Sequence, residues 1–233
     1  MMRNMGRCLY CFKSIDVRLT WRRLFFLEKD PVLCEECSSK LNVISGPICP
    51  MCGRQSEKAE YCTDCAAWEK HPDYHGVIKK NRSVFQYNEF MKEVLARFKF
   101  RGDAILAQMF SEPFVKAFHH HFDKSMILVP IPLGEERLLE RGFNQAKLLA
   151  QLLQLPIIEP LRKTDKAKQS KKSRIDRMKT KNMFTVTDPK QVHGQHIVII
   201  DDIYTTGATV RQAAKQLMNA GAKSVESFTL VRS

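Results

Sequence analysis

Short apolar runs alternate with amphipathic stretches along the last two thirds of the chain. Apolar runs bounded by turn residues are typical of buried strands, and apolar positions three and four residues apart are typical of helices. Strands are predicted at 83–87, 126–129, 183–186, 197–200 and 225–231. Helices are predicted at 104–122, 144–153 and 208–220, and after a cap at Asn88 with apolar positions Met91, Val94, Leu95 and Phe98. This alternation predicts an α/β domain with a mostly parallel sheet flanked by helices.

Two segments depart from the regular pattern. Pro113 falls inside the helix predicted at 104–122 and is expected to break or kink it. Residues 159–182 are polar and basic without apolar periodicity, which predicts a long mobile loop. Within it, residues 162–181 hold ten basic and two acidic side chains.

The first third of the chain contains all eight cysteines, arranged as four Cys-x-x-Cys pairs. The pairs are Cys8/Cys11, Cys34/Cys37, Cys49/Cys52 and Cys62/Cys65. Two such pairs facing each other form the tetrahedral cage that zinc favours, so the count predicts two structural zinc ions. Pairing in sequence order and interleaved pairing both fit the spacing. A disulfide scaffold or a redox dithiol is the alternative interpretation of the cysteines.

These signals divide the chain into parts. Residues 1–70 are predicted to form the zinc module, 71–81 a linker, and 82–233 the α/β domain. Zinc sites closed by four sulfurs leave no position for substrate or water. The module is therefore expected to fold a short segment and present a surface rather than to catalyse a reaction.

The net charge and the hydropathy limit the choice of partner and location. The chain has 38 Lys and Arg against 25 Asp and Glu, a formal charge of +13. Much of this excess lies in 162–181, and a partner carrying phosphates is the natural inference. No apolar run approaches the roughly 18–20 residues that span a membrane, and the N-terminus lacks a signal-peptide pattern. We therefore expect a cytoplasmic protein without membrane insertion.

The most specific chemical signal follows the apolar strand at 197–200. Asp201 and Asp202 come directly after it, and Thr205, Thr206, Gly207, Ala208 and Thr209 then lead into a helix. Free backbone N–H groups at the start of a helix bind anions, and a glycine there permits a positive φ. Two adjacent carboxylates can accept hydrogen bonds from vicinal ribose hydroxyls. The segment therefore predicts a site for a 5-phosphorylated ribose.

This segment resembles the phosphoribosyl pyrophosphate (PRPP) signature of type I phosphoribosyltransferases. The run Val129-Pro-Ile-Pro-Leu133, the run Glu140-Arg-Gly-Phe-Asn-Gln-Ala146 and the four cysteine pairs are together similar to the ComF family of bacterial competence proteins. The resemblance covers nearly the whole chain. It implies a role in the uptake of transforming DNA, binding of single-stranded DNA, and a helicase-like partner, ComFA. Such partners imply a location that includes the inner face of the membrane.

The resemblance also implies roles for single residues. Asp201 and Asp202 would hold ribose, usually with magnesium, and Thr205 to Thr209 would hold the 5-phosphate. The loop with Ile131 and Pro132 would face pyrophosphate. The adjacent wall would consist of Arg137, Arg141, Asn144 and Gln145. Arg137 and Arg141 are four residues apart and can share one helix face, with solvent exposure as the alternative for Arg137. Asn144 also suits a helix cap.

Three functions remain open from the sequence. Related transferases bind the acceptor with a separate hood, and no hood segment follows the strand at 225–231. A competence protein that binds single-stranded DNA is the first hypothesis. Between 79 and 101, basic residues interleave with aromatic residues, as single-stranded nucleic acid requires, although Phe85 and Phe98 also suit a core. An active phosphoribosyltransferase of nucleotide metabolism and a non-catalytic PRPP-sensing module are the alternatives.

Overall fold

A computed structural model describes residues 5–16, 21, 25, 30–100, 103–163 and 183–233. Two short 3₁₀ helices, Ala104–Phe110 and Pro189–Gln191, accompany the strands and α-helices. In chain order these are β1 (Met5–Arg7), β2 (Ser14–Asp16), α1 (Glu35–Ser39), α2 (Thr63–Glu69), β3 (Asn81–Gln86), α3 (Glu89–Phe100), α4 (Ser111–His121), β4 (Ile127–Pro130), α5 (Glu135–Arg141), α6 (Gln145–Leu152), β5 (Leu161–Lys163), β6 (Phe184–Val186), β7 (His196–Tyr204), α7 (Ala208–Asn219) and β8 (Ser224–Arg232). Within the described ranges no helix is both long and apolar enough to cross a membrane.

The central sheet has four strands in the order β3-β8-β7-β4, and every neighbouring pair is parallel. The predicted parallel α/β sheet is thereby confirmed. Because all four strands run in one direction, their carboxyl ends meet at one edge of the sheet. Ligands of open α/β sheets bind at that edge.

The sheet separates two hydrophobic cores. Along β7, Val198 and Ile200 face one core, and Ile197 and Ile199 face the other. Side chains of α3 and α4 fill the first core, and side chains of α7 fill the second. The period of two along a strand thus buries β7 on both faces, which is why its sequence is continuously apolar.

The cysteine-rich module forms two ribbons, and each joins a different core. The first ribbon, residues 5–16 and 30–40, buries Tyr10 and Ile15 against α3. The second ribbon, residues 47–70, buries Met51 with the side chains of α7. Within the segment predicted as a linker, Tyr74 and Ile78 are buried as well. The ribbons therefore pack on opposite faces of the sheet.

The structure differs from the sequence prediction in three places. The break in 104–122 falls at residue 110, and Pro113 lies in the first turn of α4, where its missing N–H leaves no hydrogen bond unmade. Residues 161–163 of the predicted loop form β5, because Leu161 is buried and the backbone pairs with β6. The remainder of that predicted basic loop, 164–182, lies outside the described residues. The acid pair lies inside β7, which continues to Tyr204.

Candidate ribose-phosphate site and zinc sites

The eight cysteines form two groups in sequence order. One group is Cys8, Cys11, Cys34 and Cys37, and the other is Cys49, Cys52, Cys62 and Cys65. The sulfur atoms of each group lie within 4.8 Å of one another. Of the two pairings that the spacing allowed, the structure has the sequential one.

The sulfur geometry fits zinc. A tetrahedral ion with Zn–S bonds of about 2.3 Å places its sulfurs roughly 3.8 Å apart. The Cys11 and Cys34 sulfurs are 3.6 Å apart, and those of Cys52 and Cys62 are 3.7 Å apart. No disulfide is present among the eight. Both groups are therefore closed, four-sulfur structural zinc sites, as predicted.

The acid pair lies near the carboxyl end of β7, where Asp201 is level with Thr229 of β8. The backbone N–H of Asp202 donates to Oδ1 of Asp201 over 2.9 Å. Burial, and then the charge of Asp202, raise the pKa of Asp201 well above its usual range. A carboxyl group with this environment has a high affinity for a proton or for hydrogen-bond donors.

Lys99 is the site residue that the sequence analysis missed. Its Nζ lies 2.5 Å from Oδ2 of Asp202, and the two side chains are only 20% and 15% exposed. In the sequence Lys99 is one of several cations in a basic and aromatic segment. No sequence pattern connects Lys99 to an acid about one hundred residues later. Lys99 reaches Asp202 only because of the way α3 packs in the fold.

The turn between β7 and α7 has three residues, Thr205, Thr206 and Gly207. Gly207 has φ 81°, and a Cβ there would overlap the Tyr204 hydroxyl and the Arg211 guanidinium. Glycine is therefore required here for two reasons, because the backbone is left-handed and because a Cβ atom has no space. Thr205 and Thr206 are exposed, and the N-terminal end of the twelve-residue helix α7 opens beside them. An arrangement of this kind can bind an anion, and we call the turn with the start of α7 the cradle.

The structure brings most of the residues of the predicted wall together beside β4, with one exception. Ile131 extends the pairing of β4, because its N–H donates to the carbonyl of Ile200. The Asn144 amide donates to the Ile131 carbonyl over 2.9 Å, while its Oδ1 caps α6. Pro132 follows in the same loop and is half-buried. Arg137 is the exception, since it lies exposed on α5.

Gln145 and Arg141 form a polar pair in this wall. The Arg141 guanidinium donates to Oε1 of Gln145 over 3.1 Å. Gln145 is only 2% exposed, and its Nε2 has no hydrogen-bond partner among the described residues. A buried amide with a spare donor is costly unless a ligand or water accepts from it.

Within the described residues, much of the basic and aromatic segment 79–101 packs against the protein itself. Phe85 and Phe98 are buried in the first core, as the alternative interpretation held. Arg97 stacks on the Tyr10 ring and donates to the Tyr10 carbonyl. Arg82 donates to the Pro50 carbonyl. Because these side chains bind the protein itself, the segment connects the ribbons to the sheet.

Comparison with known proteins agrees with this geometry. Residues 138–233 match the phosphoribosyl transferase domain, and residues 6–66 match the double zinc ribbon domain. The chain is 46% identical over 228 residues to Competence protein ComFC of Bacillus subtilis (strain 168), covering 97% of this chain and 95% of the relative. It is 36% identical over 231 residues to Competence protein ComFC of Streptococcus pneumoniae, covering 97% and 100%. DNA utilization protein YhgH of Escherichia coli (strain K12) is 27% identical over 213 residues, covering 86% and 90%.

The fold and the site thus define a phosphoribosyltransferase-like domain joined to a double zinc ribbon. Two relatives, each more than 30% identical, align with this chain over nearly their full length. The chain belongs to the ComFC family.

Proposed function

We propose that this protein handles single-stranded DNA inside a bacterial cell during natural transformation, and that its phosphoribosyltransferase-like site binds PRPP or a related ribose phosphate. The observation that carries the proposal is the acid pair beside the Gly207 turn at the carboxyl edge of the sheet. The names of the two ComFC relatives support the DNA-uptake part. The helicase-like partner implied by the family resemblance belongs to the same proposal.

In this proposal Asp201 and Asp202 accept hydrogen bonds from the ribose hydroxyls. The 5-phosphate lies over the turn, where backbone N–H groups of 206–209 and the threonine hydroxyls donate to it. The high pKa of Asp201 supports this role, because a carboxyl group with an unsatisfied charge binds hydroxyl donors strongly. Lys99 pairs with Asp202 and holds its carboxylate in place.

The β4 wall would receive the pyrophosphate. The spare Nε2 donor of buried Gln145 and the guanidinium of Arg141 supply donors for phosphate oxygens there. Asp201 and Asp202 would hold magnesium, since carboxylate and phosphate oxygens are its preferred ligands. Lys99 then competes with the metal for Asp202, which predicts that magnesium binds weakly without PRPP.

Exposed aromatic rings near the N-terminus, in and directly after the first strands, support contact with single-stranded DNA. Phe12 is 66% exposed and has a left-handed backbone, with φ 61°. Trp21 and Phe25 are also exposed, and their rings lie 6.2 Å apart in a stacked arrangement. Unstacked bases bind such rings, and a net charge of +13 attracts the phosphate backbone.

Phosphoribosyl transfer is the second candidate function, and one feature favours it. A cavity of about 340 Å³ lies beyond the carboxyl ends of β3 and β8. Its lining includes Gln55, Gln86, Tyr87 and Arg232. Amide groups and an aromatic ring are suited to a nucleobase, and the second ribbon supplies part of the wall that a hood supplies in related transferases.

Complementation tests the proposal in a cell. The chain would replace ComFC in Bacillus subtilis, and transformation frequency would be measured for the wild type, for Asp201→Ala with Asp202→Ala, and for Lys116→Ala as an exposed control on α4. We expect the double variant to lose transformation while its protein level stays normal. Full transformation by the double variant would show that the acid pair has no role in DNA uptake.

A further inference from the structure

The second zinc ribbon and the end of β8 both contact the backbone of the turn Thr205–Gly207. The Trp68 Nε1 donates to the Thr206 carbonyl over 2.8 Å. Arg232 donates to the Thr205 carbonyl over 2.8 Å and to the Tyr204 carbonyl over 3.1 Å. Three successive carbonyl groups at the start of the cradle thus point toward donors outside the turn.

These contacts fix the N–H groups that a phosphate would use. In a trans peptide unit the C=O and the following N–H point in opposite directions. With the Thr205 and Thr206 carbonyls held on the ribbon side, the N–H groups of Thr206 and Gly207 point the other way, into the cradle. A rotation of either peptide unit would remove one donor from the site.

The same contacts lead to the zinc site. Arg232 is only 4% exposed, and its Nη2 lies 3.5 Å from the sulfur of Cys52. Four thiolates with one Zn²⁺ carry a charge of about −2, which gives this buried arginine a counter-charge. Groups that hydrogen-bond to ligand atoms orient a metal site and tune its affinity.

A second buried arginine completes the connection. Arg211 is 1% exposed; its guanidinium lies 4.9 Å from the Trp68 ring centroid and donates to the Tyr204 hydroxyl over 2.5 Å. Its Nη2 has no hydrogen-bond partner among the described residues. Gly207 packs directly on this pair of side chains. The turn therefore lies on side chains whose positions depend on the second ribbon.

From these contacts, and resting on the proposed function, we propose that Trp68 and Arg232 are positioning residues that couple zinc in the second site to phosphate binding in the cradle. Zinc at Cys49, Cys52, Cys62 and Cys65 holds the turn in its binding geometry. By linkage, a bound ribose phosphate must in return tighten that zinc. The first ribbon contacts α3 through Tyr10, Glu93 and Arg97 instead, so its zinc responds less.

The test uses the full-length zinc-loaded protein and PRPP with magnesium as the probe. Zinc release to a colorimetric chelator is followed with and without PRPP, and PRPP binding is measured by calorimetry. We expect PRPP to slow the release of one of the two zinc ions and to leave the other unchanged. Equal release of both ions with PRPP bound would overturn the coupling, whereas no PRPP binding by the wild type would overturn the proposed function instead.

Trp68→Phe separates a positioning role from a general structural one, and Tyr61→Phe is the control, because it removes a polar group from an exposed ring on the same ribbon. Loss of one hydrogen bond should weaken PRPP binding about three- to tenfold. It should also reduce the protection of zinc by PRPP, while both ions remain bound. Tyr61→Phe should change neither quantity. Arg232→Lys, which retains the charge but loses the fork of donors, provides a second variant if Trp68→Phe does not fold. PRPP affinity and zinc protection both equal to wild type in the folded variants would refute the proposal.

Discussion

The two members of the acid pair are predicted to respond to neutralisation with opposite signs. Asp202 has a cationic partner, since Lys99 lies 2.5 Å away. Asp201 has a pKa raised by burial and by the charge of Asp202. Asp201→Asn should therefore stabilise the free protein at neutral pH, and Asp202→Asn should destabilise it. Both variants should lose PRPP binding.

The magnitudes follow from the environment of each carboxyl group. Removal of a repelled, desolvated charge commonly stabilises a protein by about 0.5–2 kcal/mol, as at other functional sites. In a chain of this size 1 kcal/mol shifts Tm by about 2–4 °C, so Asp201→Asn should raise Tm by up to roughly 8 °C. Asp202→Asn leaves the Lys99 ammonium without its partner and should cost about 1–3 kcal/mol, less than a fully buried pair because Asp201 stays nearby.

The pH dependence of folding stability gives the sign of the Asp201→Asn effect independently. An acid with a raised native pKa holds an extra proton in the folded state, so folding stability falls as pH rises from its unfolded pKa, about 3.9, toward the native value. Asp201→Asn removes that fall. Its advantage over the wild type should therefore grow with pH until the native pKa is passed. Thermal unfolding of the zinc-loaded proteins between about pH 6 and pH 8 measures it. A lower Tm for Asp201→Asn than for the wild type throughout this range would contradict the predicted stabilisation.

Three further predictions test other parts of the site. Gly207→Ala combines a positive φ with overlap of the Tyr204 hydroxyl, so it should cost about 2 kcal/mol or more in chemical denaturation and abolish PRPP binding; unchanged binding would contradict the cradle. Lys99→Met should cost about 1–3 kcal/mol, and Asp202→Asn added to it should recover part of this loss in a double-mutant cycle. Strong chelation should release two zinc ions per chain and expose both cores to a hydrophobic dye, because each ribbon buries cysteines in one core; an unchanged Tm after complete zinc loss would argue against structural sites.

The sheet was predictable because its signal is local. The run Ile197–Ile200 is apolar at every position, which is typical of a strand buried on both faces, and Gly207 after it indicates a turn. The apolar spacing of α3 placed its buried face correctly at Met91, Val94, Leu95 and Phe98. The cysteine spacing likewise gave the number of zinc sites without their pairing, because pairing depends on chain path.

The contacts between distant segments were not predictable. Lys99 reaches Asp202 and Trp68 reaches Thr206 only because of the packing of α3 and of the second ribbon. Arg232 at the end of β8 carries no local pattern at all, although it joins the zinc site to the turn. The division into a zinc module, a linker and an α/β domain does not include these contacts, because they cross from one part to another. Such contacts arise from tertiary packing, which a pattern along the chain does not record.

The proposed function requires that one protein bind both a ribose phosphate and single-stranded DNA. Titration of the zinc-loaded protein with labelled single-stranded DNA at several salt concentrations, with and without magnesium-PRPP, measures both. We expect DNA binding that persists at about 0.15 M salt and changes in affinity when PRPP is added, with no PRPP effect in Asp201→Ala with Asp202→Ala. DNA binding that disappears at modest salt and is indifferent to PRPP would contradict it, because the charge of +13 alone would then explain the affinity.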